Sequence, residues 1–227
     1  VPCSLLKQLA ADGVMPFMAD LFGRSAPCRM EVPLPEISSV SWSSFMTGAD
    51  PGEHGIFGFL DLVPGSKRIR FPDFRDLKVS TMWDNLAEQG KTCVVINQPA
   101  TYPAGEFPGA LISGFVAVDF MKSVYPARYI GPLKRSGYEL DIDGQRARED
   151  HDYLMRALKT TLEGRRRAVD ILWKRGQWDY FQVVVTGTDR LQHFLWKAVV
   201  EQDHPRHQQA MDYYRTVDRF VRKICER

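Results

Sequence analysis

The feature that most constrains the fold is a set of short apolar runs separated by helical patterns. The runs T-C-V-V-I at 92–96 and D-Y-F-Q-V-V-V-T at 179–186 are rich in β-branched residues, and a third run covers 110–115. Strands of a parallel sheet are covered on both faces, so they read as continuous apolar runs rather than as alternating ones. We predict an α/β fold with a largely parallel central sheet and helices on both faces.

Amphipathic patterns predict the helices that accompany these strands. One long pattern places apolar residues along one side between 154 and 173, and a second runs from 211 to 224. Three arginines at 165–167 interrupt the first pattern. We expect them on a solvated helix face rather than in an RNA site. Weaker patterns predict strands at 29–32 and 67–71.

Composition excludes several classes of protein. The 30 Lys and Arg and the 28 Asp and Glu of the 227 residues give a net charge of +2, which does not indicate nucleic-acid binding. No apolar run approaches the roughly 20 residues of a membrane span. The cysteines Cys3, Cys28, Cys93 and Cys225 lack metal-ligand spacing and are expected to be reduced thiols. No signal-peptide pattern is found, so we expect a cytoplasmic protein.

A serine-rich segment is the first candidate site. Residues 37–48 read I-S-S-V-S-W-S-S-F-M-T-G and are predicted to open a short helix. Free N–H groups at the start of a helix attract anions, and a hydroxyl placed there can act as a nucleophile. Serine is equally favoured as a helix N-cap, so the composition of the segment leaves a catalytic and a purely structural interpretation open.

The second candidate site follows the strongest predicted strand. Residues 186–193 read T-G-T-D-R-L-Q-H, and ligands of open α/β sheets bind beyond the carboxyl ends of the strands. Asp189 and His193 are four residues apart, so on a helix they share one face and can converge on a metal ion. In the alternative interpretation Asp189 caps the helix, and His193 is a packing residue beside Phe194 and Trp196.

Three sequence blocks together resemble the type I phosphodiesterase/nucleotide pyrophosphatase group of the alkaline phosphatase superfamily. The first is the serine-rich segment continued through A-D-P-G-E-H-G-I-F-G-F. The second is I-N-Q-P-A-T-Y-P at 96–103, and the third is T-G-T-D-R-L-Q-H-F-L-W at 186–196. The blocks follow the order of the family and extend over most of the chain. The resemblance implies an alkaline-phosphatase-like fold.

The resemblance also implies roles for individual residues. The nucleophilic hydroxyl of the family falls on Ser38, which would also contact a metal, and Ser39 is the neighbour to test if Ser38 proves wrong. Asp189 and His193 match the Asp and His that bind one of two divalent cations, either Zn²⁺ or Mn²⁺. His54 lies in the P-G-E-H-G-I part of the first block and matches no ligand, so we interpret it as structural.

The implied reaction is metal-dependent hydrolysis of a phosphodiester or phosphomonoester through a phosphoseryl intermediate. The implied substrate is a small phosphate ester or a nucleotide-like molecule, with no nucleic-acid partner. Phe59 stands where the nucleotide pyrophosphatase branch has an Asn, which argues against that specific activity. Two alternatives remain: a phosphomutase or sulfatase-like enzyme on the same scaffold, and a non-catalytic binding domain that has lost its metal sites.

Part of the family pattern is not found in this sequence. No acidic residue follows a strand near the start of the chain, and the Asp-His-Gly motif of the family does not occur. The chain also begins at Val1 rather than at Met. We therefore expect residues 1–227 to be a partial catalytic domain, incomplete at both ends and inactive alone.

Overall fold

The computed structural model describes every residue from Val1 to Arg227. The chain divides into two compact units that are both discontinuous in sequence. The first unit comprises 1–30, 142–166 and 185–227, and the second comprises 31–141 and 167–184. None of the helices combines the length and the apolar character that crossing a bilayer requires.

The second unit contains the central sheet. Its four strands are β3 (Cys93–Gln98), β4 (Gly109–Ser113), β5 (Val124–Tyr125) and β6 (Tyr180–Val183). They lie in the order β5-β4-β3-β6, in which β3 pairs in parallel with both β4 and β6, and only β5 is antiparallel. Every residue of β3 is buried; the apolar run 93–96 predicts this burial, and the polar Asn97 and Gln98 that end the strand are buried as well. The largely parallel sheet is confirmed.

Two weaker strand predictions have different outcomes. A separate hairpin pairs β1 (Asp61–Leu62) with β2 (Ile69–Arg70), so a strand does form within the predicted range 67–71. The strand predicted at 29–32 is wrong, because this segment is exposed and has no regular structure. Its backbone pairs with no neighbouring strand, and its single β-branched residue, Val32, does not stabilise a strand by itself.

Helices and turns complete the second unit. Its α-helices are α3 (Ser38–Thr47), α4 (Pro51–His54), α5 (Met82–Glu88) and α6 (Ile130–Arg135), and its 3₁₀ helices are Phe74–Asp76, Phe120–Lys122 and Ala127–Tyr129. Met46 of α3 and Trp83 of α5 belong to one buried cluster with Cys93 and Val95 of β3. Burial raises the pKa of the Cys93 thiol to about 11, so this cysteine is an inert part of the core.

The first unit is helical. Its helices are α1 (Cys3–Ala11), α2 (Pro16–Gly23), α7 (Gly144–Glu149), α8 (His151–Trp173, of which 167–173 belong to the second unit), α9 (Gly187–Val200) and α10 (His207–Cys225). The solvated position expected for the arginine run is wrong for Arg165, which is 3% exposed. It lies seven residues from Leu158 and from Leu172, which are both buried, so the helical period places all three on one face.

A buried carboxylate of α10 caps helix α2. The N-cap of α2 is Met15, whose side chain makes no capping hydrogen bond. Asp218, 2% exposed, accepts instead from the N–H groups of Phe17 and Met18, each at 3.0 Å. An acidic acceptor at a helix N-terminus satisfies unpaired donors and opposes the helix dipole. Asp218 therefore ties the start of the chain to its last helix.

We expect Asp218→Ala to lower the free energy of unfolding of the first unit by about 1–3 kcal/mol, because two buried N–H groups lose their acceptor. Chemical denaturation followed by circular dichroism measures the change. The matched control is Asp212→Ala, which removes an exposed carboxylate of α10 paired with Arg215 and is expected to cost less than about 0.5 kcal/mol. Equal losses in the two variants would contradict the capping role.

Candidate active site

The serine-rich segment forms α3, and Ser38 is its first residue. The N-cap is Ile37, whose apolar side chain accepts no hydrogen bond. The first helical hydrogen bond runs from Ser41 N to Ile37 O at 3.0 Å, and the N–H groups of Ser38, Ser39 and Val40 have no partner in the chain. The capping interpretation of these serines therefore does not hold. The helix instead presents three free N–H donors.

The hydroxyls at the start of α3 have different surroundings. Ser38 is exposed to solvent, whereas Ser39 is 8% exposed and Ser43 only 1% exposed. The Ser39 Oγ atom is buried and has no hydrogen-bond partner. All three serines line a cavity of about 570 Å³. Of the three, Ser38 combines solvent access with the position next to the free N–H groups.

The cavity lies where the parallel strands end. Its wall includes Pro99, Ala100 and Tyr102, which follow β3, together with Phe115 and Val116, which follow β4. Ligands of open α/β sheets bind at this carboxyl edge. The remaining lining residues belong to α3 and to the loops that follow α4 and β2: Ser38, Ser39, Trp42, Ser43, Ile56, Gly58, Phe59, Phe71, Pro72, Asp73, Leu77 and, beyond β4, Val118.

The T-G-A-D-P-G-E-H block is the scaffold that fixes the end of α3. Gly48 ends the helix at φ +69°, a left-handed conformation that favours glycine, and its N–H donates to Ser44 O at 2.8 Å. Helix α4 then begins with a capping box. In it Asp50 accepts from the Glu53 N–H, and the Glu53 carboxylate accepts from the Asp50 N–H. These residues supply turns rather than chemistry.

His54 connects this scaffold to α3. Its side chain is fully buried, and its Nδ1 atom accepts from the Ile56 N–H at 3.1 Å. In a neutral ring the proton then resides on Nε2, which lies 3.0 Å from the Ser44 Oγ and donates to it. Burial lowers the pKa of His54 below its ordinary value of 6.5. This geometry supports the structural interpretation of His54.

We expect stability to rise with pH over the interval between the lowered pKa of folded His54 and the unfolded value of 6.5. Within that interval the unfolded chain holds a proton that the folded chain lacks. His54→Gln should flatten this part of the profile and, at pH 8, cost about 1–3 kcal/mol for the lost buried bonds. Melting temperature measured against pH tests both expectations. His151→Gln, at the start of α8, is the control that should keep the wild-type slope.

The Asp-x-x-x-His block forms the start of α9. Asp189 is the third residue of the helix. The N-cap residue is Thr186, and its side chain makes no capping hydrogen bond. The Asp189 Oδ1 and His193 Nε2 atoms are 3.5 Å apart, and both side chains are more than half exposed. The capping and packing alternative therefore does not hold for this pair. Gly187 is required here because a Cβ atom would collide with the Tyr213 hydroxyl.

The pair brings together two side chains of the types that bind metal ions. A carboxylate and an imidazole are donors that both Zn²⁺ and Mn²⁺ accept. Residues 1–227 assemble no group of three or more His, Cys, Asp or Glu side chains that could hold a metal ion. The pair thus fits two coordination positions of a cation and not a complete site. Asp189 and His193 belong to the first unit, and Ser38 belongs to the second.

Sequence reasoning missed most of the cavity wall. Phe71 and Phe115 lie in irregular loops, whereas the sequence patterns predict each of them only as the last residue of a strand, at 67–71 and at 110–115. The signal that could have found them is positional, because ligands of α/β sheets bind beyond the carboxyl ends of the strands. The sequence identifies Phe59 only as a departure from the family pattern. In the structure its ring packs edge-on against that of Phe115, with ring centroids 5.8 Å apart.

The largely parallel sheet and the helices that accompany it define an α/β protein. The sequence model of the family described as type I phosphodiesterase/nucleotide pyrophosphatase matches residues 1–227, and the chain belongs to this family. No curated protein matches the chain.

Two solved structures have a similar fold. Both are of phosphonoacetate hydrolase from Sinorhizobium meliloti 1021, one in complex with phosphonoacetate and one with phosphonoformate. Their TM-scores are 0.62, their sequences are 15% and 16% identical to this one, and each match covers 98% of this chain and 50% of the other. At this identity the similarity shows the fold. The chain spans about half the length of these proteins.

Proposed function

We propose that the protein to which this chain belongs hydrolyses phosphate esters and that Ser38 is its nucleophile. The observation that carries the proposal is the accessible Ser38 hydroxyl beside three N–H groups without partners, at the wall of a cavity. Such donors bind phosphate oxygens and favour a negative charge at the helix start. Membership of the family supports the same chemistry.

In the proposed reaction the N–H groups of Ser38, Ser39 and Val40 bind oxygens of the phosphate ester. The Ser38 Oγ atom forms a bond to phosphorus while the bond from phosphorus to the ester oxygen breaks. The organic group leaves as an alcohol, which takes the proton that the serine hydroxyl loses. Water then attacks the phosphoserine, releases phosphate and restores the Ser38 hydroxyl. The same free N–H groups stabilise the charge that develops on the phosphoryl oxygens.

Metal dependence is part of the proposal. Divalent cations, when bound, supply positive charge that offsets the charge of the phosphate and lowers the pKa of an attacking hydroxyl. Asp189 and His193 are the residues of this chain that would hold one such ion, because they place two donors on one helix face. The chain supplies two donors and spans about half of the similar structures, so turnover is proposed for the whole protein.

Ser38→Ala in the whole protein is expected to reduce turnover of a phosphate ester on the order of 10⁴-fold or more, since the covalent route is lost. Mass spectrometry of acid-quenched wild-type protein should find a phosphoryl group on the peptide that contains Ser38, and none in the variant. The matched control is Ser41→Ala, on the same helix but outside the cavity lining, which should retain activity.

Ser39→Ala separates the two candidate nucleophiles. Its expected effect is modest, because the Ser39 hydroxyl is buried. If Ser38→Ala kept near wild-type turnover and Ser39→Ala lost both the activity and the phosphoryl group, Ser39 would replace Ser38 in the mechanism. Full activity in both variants would exclude a seryl intermediate at this helix.

Asp189→Asn and His193→Ala are each expected to weaken binding of Zn²⁺ or Mn²⁺ by about tenfold or more, because the first replaces a charged carboxylate by a neutral amide and the second removes the imidazole. Isothermal titration calorimetry with the metal alone measures this effect without any substrate. Asp212→Asn, an exposed carboxylate of α10, is the control and should leave the affinity unchanged. An unchanged metal affinity in both site variants would exclude this pair as ligands.

A further inference from the structure

The cavity beside Ser38 has an unequal distribution of polar groups. Three of its four hydroxyl-bearing residues lie on α3, namely Ser38, Ser39 and Ser43, and the fourth is Tyr102. Away from this helix the wall is formed mainly by carbon, with four side chains from three different loops contributing large apolar surfaces: Phe59, Phe71, Phe115 and Val118. A molecule that extends from the start of α3 into the cavity therefore passes from hydrogen-bond donors to an apolar environment.

Away from α3 the wall has only two polar side chains, those of Tyr102 and Asp73. No Lys, Arg, His, Asn or Gln side chain lines the cavity. Asp73 is the one charged lining residue, and its Oδ1 atom already accepts from the Arg75 N–H at 2.9 Å and from the Arg75 Nε at 3.1 Å. Its Oδ2 atom accepts from the Arg75 Nη2. A sugar or a nucleobase that lost its hydration here would leave most of its polar atoms unpaired, at a cost.

The size and the rim of the cavity fit a medium-sized apolar group. A volume of about 570 Å³ lies within the range of small-molecule sites. Phe71 is 77% exposed and Val118 is 83% exposed, although both line the cavity. A ligand that covered these two side chains would remove apolar surface from water on both partners, which favours binding.

We propose that this cavity binds the organic group of the substrate and selects phosphate esters whose organic group is an apolar aryl or alkyl group. Phe71 and Val118 at the rim, together with Phe59, determine this specificity. The proposal rests on the proposed function, because it places the phosphate at the start of α3. It adds the substrate class, which membership of the family leaves open.

The test compares two probes that share a phosphate monoester and differ in the organic group: 1-naphthyl phosphate and glycerol 3-phosphate. Binding is measured by titration calorimetry in the Ser38→Ala background of the whole protein, so that no turnover occurs. We expect 1-naphthyl phosphate to bind about tenfold or more tightly than glycerol 3-phosphate. In a series of n-alkyl phosphates, affinity should rise up to about fourfold for each CH₂ that the cavity buries.

Phe71→Ser tests the rim directly and introduces no charge that would repel phosphate. It should weaken 1-naphthyl phosphate about tenfold and leave glycerol 3-phosphate within about twofold. The matched control is Phe57→Ser, because Phe57 is an exposed phenylalanine of the same unit that does not line the cavity. Both side chains are mostly exposed, so neither change removes a core contact, and circular dichroism verifies folding. Val118→Asn provides a second rim variant with the same expected direction.

The outcomes separate the two proposals. Equal affinity for the two probes, or an equal loss of both in Phe71→Ser, would overturn the substrate class. A phosphoryl group found on Ser38 in the wild-type protein would then leave the proposed function intact. If 1-naphthol alone bound as tightly as its phosphate ester and no phosphoryl group formed, the proposed function would fail, and the substrate assignment would fail with it.

Discussion

Three N–H groups at the start of α3 are the constraint on which the candidate site depends. A polar group without a partner lowers stability unless water or a ligand satisfies it. The isoleucine at the N-cap position leaves these donors open. Met46 and the His54–Ser44 contact hold the other parts of the helix against the core and against α4. The N–H donors are therefore held in position without a hydrogen-bond partner in the chain. An anion is the ligand that such donors bind most favourably.

Much of the sheet could be predicted because its signal is local. Residues 93–96 of strand β3 form a continuous apolar run, and their burial on both faces follows directly from that pattern. The arginine run shows the limit of the same reasoning. The charge of an arginine predicts a position in solvent. The helical period instead places Arg165 on the same face as Leu158 and Leu172, and this period determines where its side chain lies. The prediction of a strand at 29–32 is wrong for another reason, because a strand is stable only when it pairs with a partner elsewhere in the chain.

The candidate site was predictable to the extent that its residues are related by helical geometry. Asp189 and His193 are neighbours because residues four apart share a helix face, and this needs no tertiary information. The cavity wall differs, since Phe71 and Phe115 come together only through the paths of separate loops. The spacing of these residues in the sequence does not indicate that their side chains line the same cavity. The serine-rich segment lies between these cases, because its helix was predictable and the absence of a side-chain cap was not.

The bond between Asp218 and the start of α2 has a consequence for the order of events during synthesis. Residues 17 and 218 are 201 positions apart in the chain, and the N-terminal helices leave the ribosome long before their carboxylate partner exists. The segment 31–141, by contrast, provides most of the second unit as one continuous stretch. Contacts between distant residues form late because the loop must be closed first. The nascent chain therefore carries α2 without this acceptor until α10 has been synthesised, and the first unit cannot complete its packing before then.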